Sequence, residues 1–463
     1  MPDGFIEGEG QAKEQMFAQR TSELLSIRQG LIEGLSDVGA ENLTDDKKAD
    51  LFGCFSEEIS EFFPEIALYQ KEGQIASEYS PKPVDVEHRK TVASIYYLLL
   101  LSGDQQPIQG KDDIRFKALV PGFFQGKFTP EMLEEQRQVV NKFVGDDEKL
   151  HVMASMLAVH DAAKLESVAG VIEQIRKNSG DGHTSDHDVA LQSLFASPEH
   201  VADLLPSFNS LPTTKQELIK SVLKAGSEIN IGQIGQGLEG NPSQLEAISR
   251  VELSEDEVGL WFMENLCDTA SAAGMSDGSA LVMAQENVWN AWKWSVDSLI
   301  DVKNGKDYFE SYLDLLGNKA DELGVDFDRT NDSDITALRM CMALQTDDSS
   351  TFDSVRSYLS ENQNMVDVFG KNGMTGEYTY RLYYAPSILR KITKVGGIDR
   401  ALDYMNEVAG TCKEEVMSGQ GEHTYQLSEI DAAIDAKIDP EELEVVLTKS
   451  LKVDDRGYVK FGE

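Results

Sequence analysis

The stretch LHVMASMLAVHDAAKL, residues 150–165, is apolar at most positions until it closes on His160 and Asp161. Leu150, Met153, Leu157, His160 and Lys164 recur at spacings of three and four. That is one face of a 3.6-residue helix, so the pattern predicts a helix with an inward apolar stripe and the His-Asp dipeptide at its close. A buried imidazole beside a buried carboxylate is costly to desolvate unless the two are paired or hold a metal. Two readings follow: a metal centre, or a satisfied polar pair closing an ordinary helix.

Working outward, most of the chain carries helical rather than alternating periodicity. In VEHRKTVASIYYLLLLSG (86–103), His88, Val92, Ile95 and Leu99 share one face, which turns a second histidine inward. Thr129-Pro130, Ser197-Pro198, Ser254 and Asp439-Pro440 each precede acidic residues, the pattern of a capped helix start. Few segments read as strands; the terminal GYVKFG is one candidate, and no fixed-period repeat is present. The class expected is all-α. An acidic helical segment is expected at 1–80, a central helical block at 81–300 and a C-terminal helical block at 301–463. No Pro/Ser-rich linker separates them, so one continuous fold is an equal reading.

The chain has 463 residues, with 42 Lys plus Arg against 81 Asp plus Glu, a formal charge of −39. Without a basic tract there is no face for duplex nucleic acid, because phosphate contacts need clustered cations. Such acidity suits a salty habitat or serves solubility alone. Cys54, Cys267, Cys341 and Cys412 are far apart and make no CxxC spacing, so they read as reduced thiols. The opening MPDGFIEGEGQAKEQ lacks the basic and apolar regions of a secretory signal, and the longest apolar run, IYYLLLL (95–101), is too short to cross a bilayer. A cytoplasmic chain without a membrane partner is expected.

Six of the seven histidines, His88, His151, His160, His183, His187 and His200, lie between positions 88 and 200, and only His423 lies outside. Histidine is the commonest transition-metal ligand, and with Asp it makes the N/O set that Mn, Fe, Zn, Ni or Co would use. Here the chain resembles the HD-domain superfamily of metal-dependent phosphohydrolases. VEHRKTVASIYYLLLLSG is similar to that family's first, His-bearing helix, and MLAVHDAAKL (156–165) to its His-Asp helix with a trailing Lys. The resemblance implies a multi-helix HD-like core with additional N- and C-terminal helices. It implies His88, His160 and Asp161 as ligands of a divalent ion (Mn, Fe, Ni, Zn or Mg), and a further Asp from a later helix.

The gap of 72 positions from His88 to His160 is longer than in that family and implies an insertion or another first ligand. His151 is a poor substitute, because nine residues of helix before His160 place it on another face. For the last ligand, Asp268 in ENLCDTASAAG (264–274) is preferred, since Trp261, Phe262, Leu266 and Cys267 precede it and small residues follow; Asp203 in EHVADLL is the alternative. In DGHTSDHD (181–188), the resemblance implies His183 and His187 as holders of a second metal or of a substrate phosphate, while the plain reading is a capped helix start.

An ion so held lowers the pKa of bound water and neutralises charge developing on a phosphoryl group. Asp161 would bind the ion and orient the attacking water, and Lys164 or Arg89 would hold phosphate oxygens. The expectation is a metal-dependent hydrolase of phosphate esters, with nucleotides among the small phosphorylated substrates. The alternative is a non-catalytic helical module of the same shape, working in regulation or protein interaction.

Other motifs are weaker. GQIGQG (232–237) is neither GxGxxG nor a Walker sequence, and DFDRTNDSDITALR (326–339) lacks the Gly and Glu of an EF-hand and reads as a capped helix start. VWNAWKW (288–294) and YTYRLYYAP (378–386) read as core packing, the latter alternatively as a pocket wall with Arg381. Neither HExxH nor CxxCH occurs.

Overall fold

The computed structural model describes residues 3–71, 83–103, 106–122, 128–181, 187–229, 231–238, 242–250, 253–279, 286–375, 378–414, 421–435, 440–453 and 459–461. These residues are predominantly helical, and the fold is all-α in class. Helix starts fall where the polar caps predict. Thr129 Oγ1 accepts from the Met132 amide ahead of Pro130–Phe143, Ser254 and Glu257 form a reciprocal capping box ahead of Glu255–Ser271, and Asn331 caps Asp332–Leu344. No helix among the described residues is long and apolar enough to cross a membrane.

The chain divides into two compact units, Met1–Ser227 with Leu253–Glu286, and Glu228–Glu252 with Asn287–Glu463, where the sequence reading draws its boundaries at 80 and 300. In the first unit, α1 (Asp3–Val38), α2 (Asp45–Phe62), α3 (Val84–Leu101), α4 (Pro130–Phe143), α5 (Asp147–Val159), α6 (Glu166–Ser179), α7 (His187–Phe195) and α8 (Glu255–Ser271) carry the argument. The centre is α3, which packs on α2, α4, α5 and α8, and every residue from Lys90 to Leu101 is buried. Such a helix has no solvent face, so apolar periodicity cannot say which side meets which neighbour. Helix α5 is likewise buried from Leu150 to Val159 and packs on α1, α3 and α8. Gly259 lets α8 approach α4 closely: a Cβ there would lie 2.1 Å from the Phe143 ring.

In the second unit, Tyr308–Leu323, Asp332–Leu344, Ser349–Leu359, Gln363–Phe369 and Ala385–Glu414 supply the helices, the last of them kinked at Gly397. Strands β1 (Tyr378–Tyr383) and β2 (Gly421–Gln426) pair in parallel, with Tyr380 opposite His423, and β3 (Leu451–Val453) pairs antiparallel with β4 (Val459–Phe461). The terminal strand is the one expected from GYVKFG; β1 comes from YTYRLYYAP. Tyr380 is buried and stacks near Tyr425, while Arg381 donates to Gln233 and to the Tyr383 hydroxyl. Trp289 and Trp292 of VWNAWKW are buried, as core packing predicts. GQIGQG lies on the short helix Ile231–Gly235 and the turn after it; there Gly237 has φ +77° and its carbonyl accepts from the buried Arg339 guanidinium at 2.7 Å.

Candidate metal centre

Helix α5 ends at Val159. The His160 amide still donates to the Met156 carbonyl, Asp161 leaves the helical region at φ −97°, ψ 4°, and Ala162–Lys164 form a 3-10 turn. That turn packs on α6 and α7. It brings Lys164 Nζ to 2.5 Å from Asp161 Oδ1, and His187 Nε2, at the start of α7, lies 3.4 Å from the same oxygen.

The orientation of His160 decides what the site can hold. Its Nδ1–H donates to the Leu157 carbonyl at 2.7 Å, and because a carbonyl only accepts, the proton belongs on Nδ1. Nε2 then faces Asp268 Oδ1 at 2.9 Å and Asp161 Oδ2 at 3.5 Å. A ring nitrogen aimed at two carboxylates needs its own proton or a shared cation. Among the described residues, His160, Asp161 and Asp268 offer ligand atoms all within 4.8 Å of one another. Ligands about 2.1 Å from one ion and roughly a right or tetrahedral angle apart are separated by roughly 3.0–3.4 Å. The two His160 contacts, 2.9 and 3.5 Å, lie near that range, and the donors are of the N/O type that divalent ions use.

A second cation already touches the same carboxylates. Lys90, from α3, lies with Nζ 2.7 Å from Asp268 Oδ1 and 3.1 Å from Asp161 Oδ2, its side chain 7 % exposed. Burial alone would lower the Lys90 ammonium, but Asp161 and Asp268 outweigh it and hold it well above the lysine range. Burial likewise opposes charge on His160, yet Asp161 and then Asp268 push it up to about 9. The two aspartates are held below the usual carboxylate range in spite of burial, Asp161 by His160, Lys164 and Lys90, and Asp268 by Lys90 and His160.

Two further acids border the cluster. Glu264 lies one turn before Asp268 on α8, and burial raises its carboxyl against the pull of His160, with Asp268 adding to the rise. Glu87 lies one turn before Lys90 on α3, is buried, and approaches Lys164 at 3.9 Å. The cluster opens where Asp268 and His187 keep 28 % and 29 % of their side-chain surface.

Of the residues expected from sequence, His160, Asp161, Lys164, His187 and Asp268 come together. Asp203, the alternative last ligand, is exposed on Pro198–Leu204. His88 is a correction: it lies near Ser60 and the Tyr69 ring, and burial together with Arg89 lowers its pKa. Two residues of helix turn the chain by about 200°, so Lys90 faces the cluster and His88 does not. Arg89 also points elsewhere, donating to the carbonyl of Gly274, whose φ is +56°, and to Asp85. His183 lies outside the described residues. His151 is a core residue, stacked on Phe17 at 4.7 Å and hydrogen-bonded to Thr21.

Lys90, Glu87 and Glu264 are missing from the sequence reading. Their signal was present: Glu87 and Lys90 are charged residues one turn apart at the head of an apolar run, and Glu264 stands at i−4 from Asp268.

The match to known families begins downstream of α3. One family profile covers residues 123–413, more than half of the chain. The chain belongs to DUF6829, a family of unknown function. The DUF6829 match includes His160, Asp161, Lys164, His187, Glu264 and Asp268, while Glu87 and Lys90 lie before it. No curated protein and no solved structure matches the chain.

Proposed function

We propose that this DUF6829 chain is a metal-dependent hydrolase of phosphate esters, with a core resembling the HD-domain superfamily. The reading is carried by the convergence of His160, Asp161 and Asp268, from two separate segments, with the His160 Nδ1 proton directed away and Nε2 aimed at both carboxylates. His160 Nε2, Asp161 Oδ2 and Asp268 Oδ1 would hold the ion. When bound, a divalent ion supplies water of lowered pKa and neutralises charge on a phosphoryl group.

The chain's own groups do the rest. The Leu157 carbonyl fixes the His160 ring and its tautomer. Lys164 and His187 hold Asp161 Oδ1, which orients the carboxylate so that Oδ2 faces His160. Asp268 and His187 stand at the open side, where His187 would meet an entering phosphate oxygen. Buried surroundings strengthen each of these interactions.

One observation favours a second reading. Lys90 supplies positive charge to both aspartates, which a non-catalytic module could use to satisfy the cluster without an ion. Elemental analysis of protein loaded with Mn, Ni, Zn, Fe or Mg, beside Asp268→Asn and a screen of phosphate esters, separates the two. Stoichiometric metal and turnover, both lost in the variant, support the hydrolase. A protein that takes no metal and turns over no ester is the module.

A further inference from the structure

Lys90 occupies the contacts that the metal reading asks of Asp161 and Asp268. An ammonium 2.7 Å from one carboxylate and 3.1 Å from the other engages oxygens that a divalent ion would need. Two cations sharing those oxygens repel, and in a buried site that repulsion is poorly screened. The backbone of α3 cannot retreat, since it is packed on α2, α4, α5 and α8. The side chain has an alternative on its own helix: Glu87, at i−3, lies on the same face, is buried, and acts electrostatically on Lys90.

We propose that Lys90 is an internal competitor for the metal site, which takes up a divalent ion as the ammonium swings from Asp161 and Asp268 toward Glu87. The inference rests on the metal reading above. Lys90 thereby sets how tightly the site holds its ion, and Glu87 stabilises the displaced ammonium. The two neighbours act with opposite signs: removing the charge of Lys90 tightens metal binding, and removing the charge of Glu87 weakens it. A merely structural role for either would not produce that opposition.

The experiment is Mn²⁺ titration by calorimetry and Zn²⁺ competition against a chromophoric chelator, on the full chain, for wild type, Lys90→Gln, Lys90→Met, Lys90→Arg and Glu87→Gln. Circular dichroism establishes that each variant is folded. Lys90→Gln keeps N–H donors for both aspartates and decides the matter if Lys90→Met does not fold; Glu87→Gln is an independent arm. Expected are affinities at least tenfold tighter for Lys90→Gln and Lys90→Met, unchanged within threefold for Lys90→Arg, and at least threefold weaker for Glu87→Gln. If wild type binds metal and the neutral Lys90 variants bind it no tighter, the competitor role falls and the metal reading stands. If neither wild type nor any variant binds metal, both fall together.

Discussion

His160 Nε2 and Asp268 Oδ1 lie 2.9 Å apart although 108 positions separate them in the chain. That contact joins the end of α5 to α8 and makes Asp268 the natural place to interrupt the site. Asp268→Asn keeps the shape but removes the anionic donor. Metal affinity is expected to fall at least a hundredfold, measured by equilibrium dialysis, with the far-ultraviolet dichroism unchanged. A variant that retains wild-type affinity would remove Asp268 from the ligand set.

Asp161 is buried among Lys90, His160 and Lys164. Truncation to Ala leaves these cations short of a buried partner. Breaking a buried pair from one side costs about 3–5 kcal/mol, so Asp161→Ala should shift the urea midpoint strongly downward. Asp203→Ala, at an exposed position, should leave it unmoved.

His151 predicts a pH dependence of stability separate from the cluster. Burial, with Arg20 adding, lowers its pKa from 6.5 to about 4. The Thr21 hydroxyl donates to the Phe17 carbonyl and so accepts from His151 Nδ1–H, a bond that either protonation state of the ring can make, which leaves burial and Arg20 to disfavour the charged form. As pH falls from about 6.5 toward 4, the unfolded chain binds a proton that the folded chain refuses, and stability declines across that window. Urea titrations at pH 7, 6 and 5 should show a shallower decline for His151→Phe than for wild type. Parallel curves would refute this assignment.

Gly259 tests the packing that brings α8 to the site. A Cβ would meet the Phe143 ring at 2.1 Å, and Phe143 is itself buried and set edge-on against Phe262. Gly259→Ala should therefore destabilise by about 1–3 kcal/mol through overpacking, outweighing the helix propensity that Ala adds. A more stable variant would show that the ring moves aside freely.

The net charge of −39 predicts a salt response. Self-repulsion of an acidic surface weakens as the Debye length falls from about 10 Å at 0.1 M salt to about 3 Å at 1 M. Thermal midpoints should rise from 0.1 M to 1 M KCl, and sucrose at matched osmolarity should not reproduce the whole rise. A flat or falling salt series would mean that attractive surface pairs dominate.

Local physics made much of this protein legible from its residues. The all-α class follows from 3.6-residue periodicity and from caps such as Thr129 and Ser254, which act within a few residues of themselves. The end of α5 at the His-Asp dipeptide is similarly local, and the small, apolar surroundings of Asp268 were enough to prefer it to Asp203. Long-range choices were not legible. β1 and β2 pair across the intervening helix Ala385–Glu414, and no short-range pattern encodes that register. The face that α3 turns to the cluster was also decided by tertiary packing: a helix buried on every side has no amphipathic stripe to orient it, so Lys90 rather than His88 meets Asp161 and Asp268.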